Sequence, residues 1–171
     1  MAILTLPGSA SVRRGVLFVA LLALVGCGGS DGVNPVTGTV RHKGKPLVGA
    51  TVAFIPTNPG PNQKVAIATT DAEGKFQLVT PLPGKRTGSG AAPGDYKVTV
   101  SKFIPPKGMS DAEYQKKVDA DNAIRAKGGY NPETTIEPKV EGIPPEYSDQ
   151  KKTKLTATVG SSTNDFTFEI P

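Results

Sequence analysis

The chain has 171 residues, enough for one domain, and its 20 Gly and 16 Pro require many turns. This composition suits short strands joined by loops better than a helical bundle. Arg13 and Arg14 contribute two of the net charge of +5, and the other Lys and Arg are interleaved with Asp and Glu. Because no basic stripe carries aromatic residues, the sequence predicts no nucleic-acid partner.

The first 26 residues are organised like a signal peptide. Arg13 and Arg14 precede an uncharged apolar run over residues 15–25. At about 1.5 Å per residue this run reaches about 16 Å, roughly half the hydrocarbon thickness of a bilayer, so it is too short to span one. A basic segment followed by an apolar run of this length is typical of an export signal. We therefore expect residues 1–26 to be removed.

The apolar run ends in Leu24, Val25, Gly26 and Cys27, which resembles the bacterial lipobox. The resemblance implies transfer of diacylglycerol to the Cys27 thiol, cleavage before this residue and acylation of the new amino group. Cys27 is the only cysteine of the chain and cannot form an internal disulfide. Each buried acyl CH₂ contributes about 0.8 kcal/mol, so several acyl chains would hold the protein in a membrane. The alternative is an ordinary cleaved signal peptide followed by an incidental cysteine.

Residues 27–34 form the predicted tether between lipid and domain. The stretch 28–32 is small, polar and flexible. Gly28, rather than Asp, follows the cysteine, and by resemblance to lipoprotein sorting in two-membrane bacteria this favours the outer membrane. The sequence thus predicts an exported protein that is lipid-anchored to the cell envelope, on its periplasmic or surface face.

Short alternating segments, separated by turns, predict one β domain over residues 35–171. Alternation of apolar and polar residues between Gly, Pro, Asn and Asp is typical of strands with one buried face. Residues 71–74 (Asp-Ala-Glu-Gly) predict a tight turn that returns the third strand to the fourth as a hairpin, and residues 80–92 are predicted to be a loop. The seven predicted strands are 36–40, 50–55, 65–70, 75–79, 96–101, 155–159 and 166–170.

Seven such strands predict an all-β fold, a seven-stranded antiparallel β-sandwich. Between the fifth and sixth strands lies an insertion, residues 103–150, which either carries function or is tolerated decoration. Within it Ser110 and Glu113 predict a capping box, followed by a helix near 111–127 that ends at two glycines. The side chains predicted to face inward are Val52, Phe54, Phe76, Leu78, Tyr96, Val98, Val100, Leu155, Phe166 and Phe168.

Four segments within residues 36–102 resemble the carboxypeptidase regulatory-like (transthyretin-like) domain. They are Val36-x-Gly38-x-Val40, Gly44-Lys45-Pro46-Leu47-x-Gly49-Ala50-x-Val52, Thr70-Asp71-x-x-Gly74-x-Phe76 and Pro93-Gly94-x-Tyr96-x-Val98-x-Val100. The resemblance implies a prealbumin-like sandwich without catalytic activity, since in carboxypeptidases this domain accompanies the enzyme. Residues 143–149 and the last two strands resemble short lipoproteins built on it. These motifs consist of turn and core residues, so no site residue carries over.

Few side chains are candidates for catalysis or metal binding. His42 is the only histidine, so it cannot build a multi-histidine site, and it lies beside a predicted turn. Asp71, Glu73 and Asp95 invite a calcium hypothesis, but Asp-x-x-Gly lacks the ligands of a calcium loop and is ordinary hairpin chemistry. Asp119 and Asp121 are predicted on a solvated helix face. The sequence therefore predicts no catalytic residue, no metal site and no cofactor.

The function predicted from these features is that of a non-catalytic, lipid-anchored envelope protein, a binding or structural module. Its partners would be the membrane, through the lipid on Cys27, and an envelope protein, a peptide or a carbohydrate; an exposed strand edge suits a partner strand. The alternative is a small-ligand or carbohydrate-binding transport accessory lipoprotein with a pocket between residues 80–92 and the insertion. A pocket lined by Tyr114, Tyr130 or Tyr147 would favour the alternative. No pattern specifies the ligand or an oligomeric state.

Overall fold

The computed structural model describes residues 32–60, 63–106, 108–129 and 136–171. The predicted signal peptide, the lipobox-like segment and the predicted tether up to residue 31 lie outside these residues, so the lipidation of Cys27 stays a prediction. The described residues form one α-helix, α1 (Asp111–Ala126), and two 3₁₀ turns, Pro83–Lys85 and Pro145–Tyr147. Their strands are β1 (Val36–His42), β2 (Lys45–Pro46), β3 (Thr51–Pro56), β4 (Ala66–Thr69), β5 (Lys75–Gln77), β6 (Val79–Leu82), β7 (Arg86–Ser89), β8 (Gly94–Ser101), β9 (Phe103–Ile104), β10 (Val140–Glu141), β11 (Thr156–Val159) and β12 (Asn164–Ile170).

Two sheets carry the fold, and the all-β expectation is confirmed. The large sheet has the strand order β11-β8-β3-β4-β6-β7 and is antiparallel. In the small sheet β12 pairs with one side of β1, while β2 and β5 pair with the other. The prediction of a wholly antiparallel sandwich is wrong at one place, because β1 and β12 run parallel. These two strands are far apart in the chain, so no tight turn forces them to run in opposite directions.

The turn at Asp71 is confirmed, but the hairpin predicted around it is confirmed only at its far end, where Val79 pairs with Ile67. Asp71 Oδ1 accepts hydrogen bonds from the backbone N–H of Glu73 at 3.0 Å and of Lys75 at 2.8 Å. After this turn, β5 pairs with β1 in the small sheet and not with β4. The turn residues decide where the chain reverses, whereas the choice of sheet depends on which backbone groups are free to pair.

Leu78 is the residue at which the chain crosses from one sheet to the other. Its N–H donates to the carbonyl of Val36 at 3.0 Å, and its carbonyl accepts from Gly90 N–H at 2.8 Å. Beyond it, β6 pairs with β4 and with β7. The prediction of a loop over residues 80–92 is therefore wrong. Pro83 and Gly84 lie in the bend between β6 and β7, and β4 supplies the edge on which the hairpin assembles.

The core lies between the two sheets and is centred on Phe54 of β3. Its ring centroid lies 5.6 Å from that of Phe166, 5.8 Å from Tyr96, 6.0 Å from Phe168 and 6.2 Å from Phe76. Tilted contacts at these separations are favourable for aromatic rings. The residues predicted to face inward are all buried, except for the half-buried Leu155 and Phe166.

Tyr96 fixes the start of β8. Its phenol donates to the carbonyl of Ala92 at 2.7 Å, and its side chain is buried. A tyrosine that bonds to the backbone a few residues upstream is the tyrosine corner of β-sandwiches. Burial raises the pKa of this phenol.

The predicted capping box in the insertion is confirmed. Ser110 Oγ accepts from Glu113 N–H at 3.2 Å, and the Glu113 carboxylate accepts from Ser110 N–H at 2.9 Å. The hydrogen bond from Ser110 N–H, followed by that from its hydroxyl, lowers the pKa of Glu113. The prediction of a solvated Asp121 is wrong: it is the buried residue of α1 and pairs with Arg125 one turn later.

The chain enters the sandwich at one end of β8 and forms the insertion at the other. Near the start of β8, Asn34 exchanges two backbone hydrogen bonds with Ala91, and its side-chain amide donates to Gly160. Beyond the last residue of β8, Phe103 pairs with Glu141 in the small β9–β10 ladder. At about 3.3 Å per residue, the length of β8 places the two ends about 25 Å apart.

Candidate binding surfaces

A polar groove of about 550 Å³ lies on the outer face of the small sheet. Hydroxyl, amide, carboxylate and ammonium groups line it, together with Phe76. Thr37 Oγ1 donates to Asp165 Oδ1 at 3.0 Å, which fixes these two side chains across β1 and β12. The lining residues are Thr37, Gly38, Thr39, Thr69, Asp71, Lys75, Phe76, Gln77 and Asp165.

Gly38 is one of the residues that line this groove. A Cβ at this position would lie 2.6 Å from Cζ of Phe76 and would also collide with the carbonyl of Phe166. The absence of a side chain therefore lets the Phe76 ring pack across the core-facing side of β1, where it also contacts Phe54 and Phe168.

The second edge of β12 adjoins this face and is unpaired by any described residue. At its two ends, Asn164 N–H donates to Pro35 at 3.0 Å and the Ile170 carbonyl accepts from Lys43 N–H at 2.8 Å. In a parallel pair alternate residues direct their backbone groups to opposite sides. The N–H and C=O groups of Asp165, Thr167 and Glu169 therefore point away from β1.

Two acidic side chains, Asp165 and Glu169, lie along this open edge on either side of Thr167. Asp165 is bonded to Thr37, and Glu169 Oε1 accepts from Gly44 N–H at 2.8 Å. If two copies of β12 paired antiparallel about Thr167, Asp165 of one would face Glu169 of the other. Like charges directly opposite each other destabilise a ladder, so the edge is guarded against self-pairing. A strand with basic side chains would not meet this repulsion.

Two further grooves lie elsewhere. One, of about 550 Å³, runs along α1 beside Met109, Lys116 and Lys117. A cleft of about 270 Å³ is lined by Glu146, Tyr147, Lys152 and Lys154. None of these three grooves includes a residue of 80–92, where the alternative function places its pocket.

The tyrosines proposed for that pocket are not brought together. Tyr147 lies in the small cleft, whereas the Tyr114 ring lies 5.2 Å from the Lys139 ammonium on the helix surface. Tyr130 lies outside the described residues. The two described tyrosines thus belong to separate surface features.

The candidate metal ligands serve local structure. Asp71 holds its turn, and Asp95 Oδ1 accepts from Thr158 Oγ1 at 2.6 Å. His42 is the last residue of β1, next to the turn at Lys43 and Gly44. Over the ranges that the structure describes, no group of three His, Cys, Asp or Glu side chains is arranged to hold a metal ion.

An exposed strand edge was expected from the sequence, but the groove and the identity of β12 as an open edge were missed. The alternation in residues 36–40 indicated that Thr37 and Thr39 face outward. Nothing local indicates that Asp165 and Gln77 flank Thr37, because their strands pair with β1 across long stretches of chain.

No protein family model matches the chain, and no curated protein matches it. Among solved structures it is similar to a 9R-lipoxygenase from Cyanothece PCC8801, with 13% sequence identity and a TM-score of 0.37. The similarity covers 82% of this chain and 17% of the lipoxygenase chain. Within the described part of the chain, no helix is both long and apolar enough to cross a bilayer.

Proposed function

We propose that this chain is a non-catalytic, lipid-anchored module of the bacterial envelope that binds an extended segment of a partner protein along β12. The anchor is supported by the sequence, in which a basic segment, a short apolar run and Leu24-Val25-Gly26-Cys27 follow one another. The domain is proposed to be a prealbumin-like sandwich of the carboxypeptidase regulatory-like type. This assignment rests on the four resembling segments within residues 36–102.

The open edge of β12 carries the proposal for binding. Backbone groups of Asp165, Thr167 and Glu169 point outward, which is the geometry that β-strand addition needs. The carboxylates of Asp165 and Glu169 favour a partner strand with Lys or Arg at alternate positions. The groove beside Thr37 would accept side chains of the added strand.

The anchor is tested with Cys27→Ala in the full chain. We expect the native protein to begin at Cys27, to carry acyl mass and to sediment with membranes, because several acyl chains bury many CH₂ groups. The variant should be free of acyl mass and leave the membrane fraction. Intact mass spectrometry and membrane fractionation measure both. Native protein without acyl mass would contradict the anchor and indicate an ordinary signal peptide.

The partner strand is tested with Thr167→Pro. Proline removes the outward N–H of Thr167 and places its ring at the open edge, while the bonds between β12 and β1 remain. We expect the variant to lose partners that the native protein retains from solubilised envelope, as compared by mass spectrometry.

Thr156→Pro is the matched control, since the backbone groups of Thr156 face the open edge of β11. The register of β11 with β8 and the bond from Val98 N–H to the Leu155 carbonyl define this orientation. Partners lost from both variants, or from neither, would contradict recognition by β12.

A second candidate function is favoured by the polar lining of the groove. Hydroxyl, amide and carboxylate groups suit a carbohydrate or a small polar ligand. Gln77→Ala should then weaken binding of soluble cell-wall glycan fragments in titration calorimetry, whereas Thr167→Pro should not. Under the leading proposal these fragments do not bind the native chain.

A further inference from the structure

The outer face of the large sheet carries a contiguous apolar patch. In the register of the sheet, Val79 lies opposite Ile67, and Ile67 lies opposite Ala53. Ile67 is 44% exposed, Val79 38% and the neighbouring Val65 43%. Continuing the same register adds Ile55 and Pro81. Contiguous exposed apolar residues with a polar rim indicate an interaction surface.

The charges on this patch have one sign. Lys97 lies opposite Ile55, and Lys154 lies beside Thr99, because the following residue, Leu155, is bonded to Val98. Lys97 Nζ donates to the Thr153 carbonyl at 3.2 Å, and an ammonium has three donors. The two central rows across the face, which hold no acidic residue, are Lys154, Thr99, Ala53, Ile67, Val79 and Ser89, and Thr156, Lys97, Ile55, Val65, Pro81 and Thr87.

The described chain begins beside this sheet. A Cβ on the buried Gly88 of β7 would lie 2.7 Å from Cγ2 of Val33, so Val33 packs against the core-facing side of β7, the edge strand of the large sheet. The six residue steps from Cys27 to Val33 extend to at most about 20 Å. A lipid on Cys27 would therefore hold this edge close to a membrane surface.

We propose that the outer face of the large sheet rests on the lipid surface that holds the anchor. This inference rests on the proposed lipidation of Cys27. The apolar side chains of Val65, Ile67 and Val79 enter the interface, and Lys97 and Lys154 lie at anionic headgroups. The groove of the small sheet, on the opposite side of the sandwich, then faces away from the membrane and stays accessible.

The test uses the full chain, purified with its lipid and reconstituted in phosphatidylcholine vesicles with and without phosphatidylglycerol. Acylated Cys27 has no free thiol, so Ile67→Cys introduces one labelling site for an environment-sensitive fluorophore. Thr39→Cys, on the outer face of the small sheet, is the matched control. We expect brominated lipids to quench the label at position 67 several-fold more strongly than the label at position 39.

Phosphatidylglycerol should increase the quenching at position 67, and Lys97→Gln with Lys154→Gln should abolish that increase. Equal quenching at positions 67 and 39 in a chain of acylated mass would overturn the membrane face and leave the anchor intact. A chain without acyl mass would overturn both. Protection of position 67 that depends on protein concentration, without quenching by lipid, would assign the face to a second copy and also overturn the proposal.

Discussion

At the scale of single residues, local packing depends on Gly38, which has no side chain, and on Tyr96, which makes one buried hydrogen bond. Gly38 lets the buried Phe76 ring pack across the core-facing side of β1. Tyr96 ties the segment before β8 to the strand through one hydrogen bond to Ala92. The bond is buried, so its loss leaves a polar group without water.

Tyr96→Phe should lower the free energy of unfolding by about 1–3 kcal/mol, because the Ala92 carbonyl loses a buried donor while the ring still fills its place. Denaturant unfolding measures the change. Tyr114→Phe is the control, since the half-buried Tyr114 lies on the helix surface. A Tyr96→Phe chain as stable as the control would contradict the role of this bond.

Tyr96 also predicts a dependence of stability on alkaline pH. Burial raises its pKa above the ordinary value of about 10, so folding favours the neutral phenol. Its contribution is complete below about pH 10 and is lost as the pH rises through the folded pKa. In a phenolate absorbance titration, the ionisation of Tyr96 should appear as a step above about pH 10 that is missing in Tyr96→Phe.

At the scale of elements, short-range sequence patterns predicted the helix, whereas the pairing of strands that are distant in the chain could not be predicted from them. The helix was predicted with its cap because Ser110 and Glu113 bond to each other across one turn. The strand over residues 75–79 was predicted as one element, yet it divides at Leu78 between two sheets. Alternation reports which side of a strand is buried, but it carries no information about the strand that pairs beside it.

Ser110→Ala should unravel the first turn of α1 and raise the pKa of Glu113 towards its ordinary value, because the hydroxyl no longer bonds the carboxylate. With the pKa lowered in the folded chain, the carboxylate supports the helix above about pH 4.3, and this support is lost as the pH falls through the folded pKa. NMR titration of the Glu113 side chain measures both effects. Ser110→Thr, which keeps the hydroxyl, should retain the low pKa; an unchanged pKa in Ser110→Ala would count against the capping box.

At the scale of the whole molecule, one core joins two sheets whose outer faces differ. The small sheet presents hydroxyls, carboxylates and an open edge, whereas the large sheet presents an apolar patch with lysines. The entry of the chain beside Ala91 and the insertion after Ser101 lie at opposite ends of β8. The two outer faces thus differ in chemistry, and the membrane is proposed for one and the partner strand for the other.

Phe54→Ala should lower the free energy of unfolding by about 3–5 kcal/mol, because its ring contacts aromatic residues of both sheets and is fully buried. Circular dichroism and tyrosine fluorescence should follow the same transition, since the sheets share one core. Phe103→Ala removes the same ring from a site that is 58% exposed and should change stability by less than about 0.5 kcal/mol. Equal losses in the two variants would contradict the central position of Phe54.

The sequence by itself determined the all-β class, the approximate positions of β1, β3, β4, β5, β8, β11 and β12, the helix with its cap, most of the core and the expectation of an anchor at Cys27. These features depend on neighbours within a few residues, and alternation, turn chemistry and an apolar run report them directly. Only the tertiary structure decided that β1 lies between β12 and β5, that Leu78 crosses between sheets and that residues 80–92 form a hairpin. Those pairings join backbone groups that are distant in the chain, so their partners are settled when the two sheets assemble around Phe54.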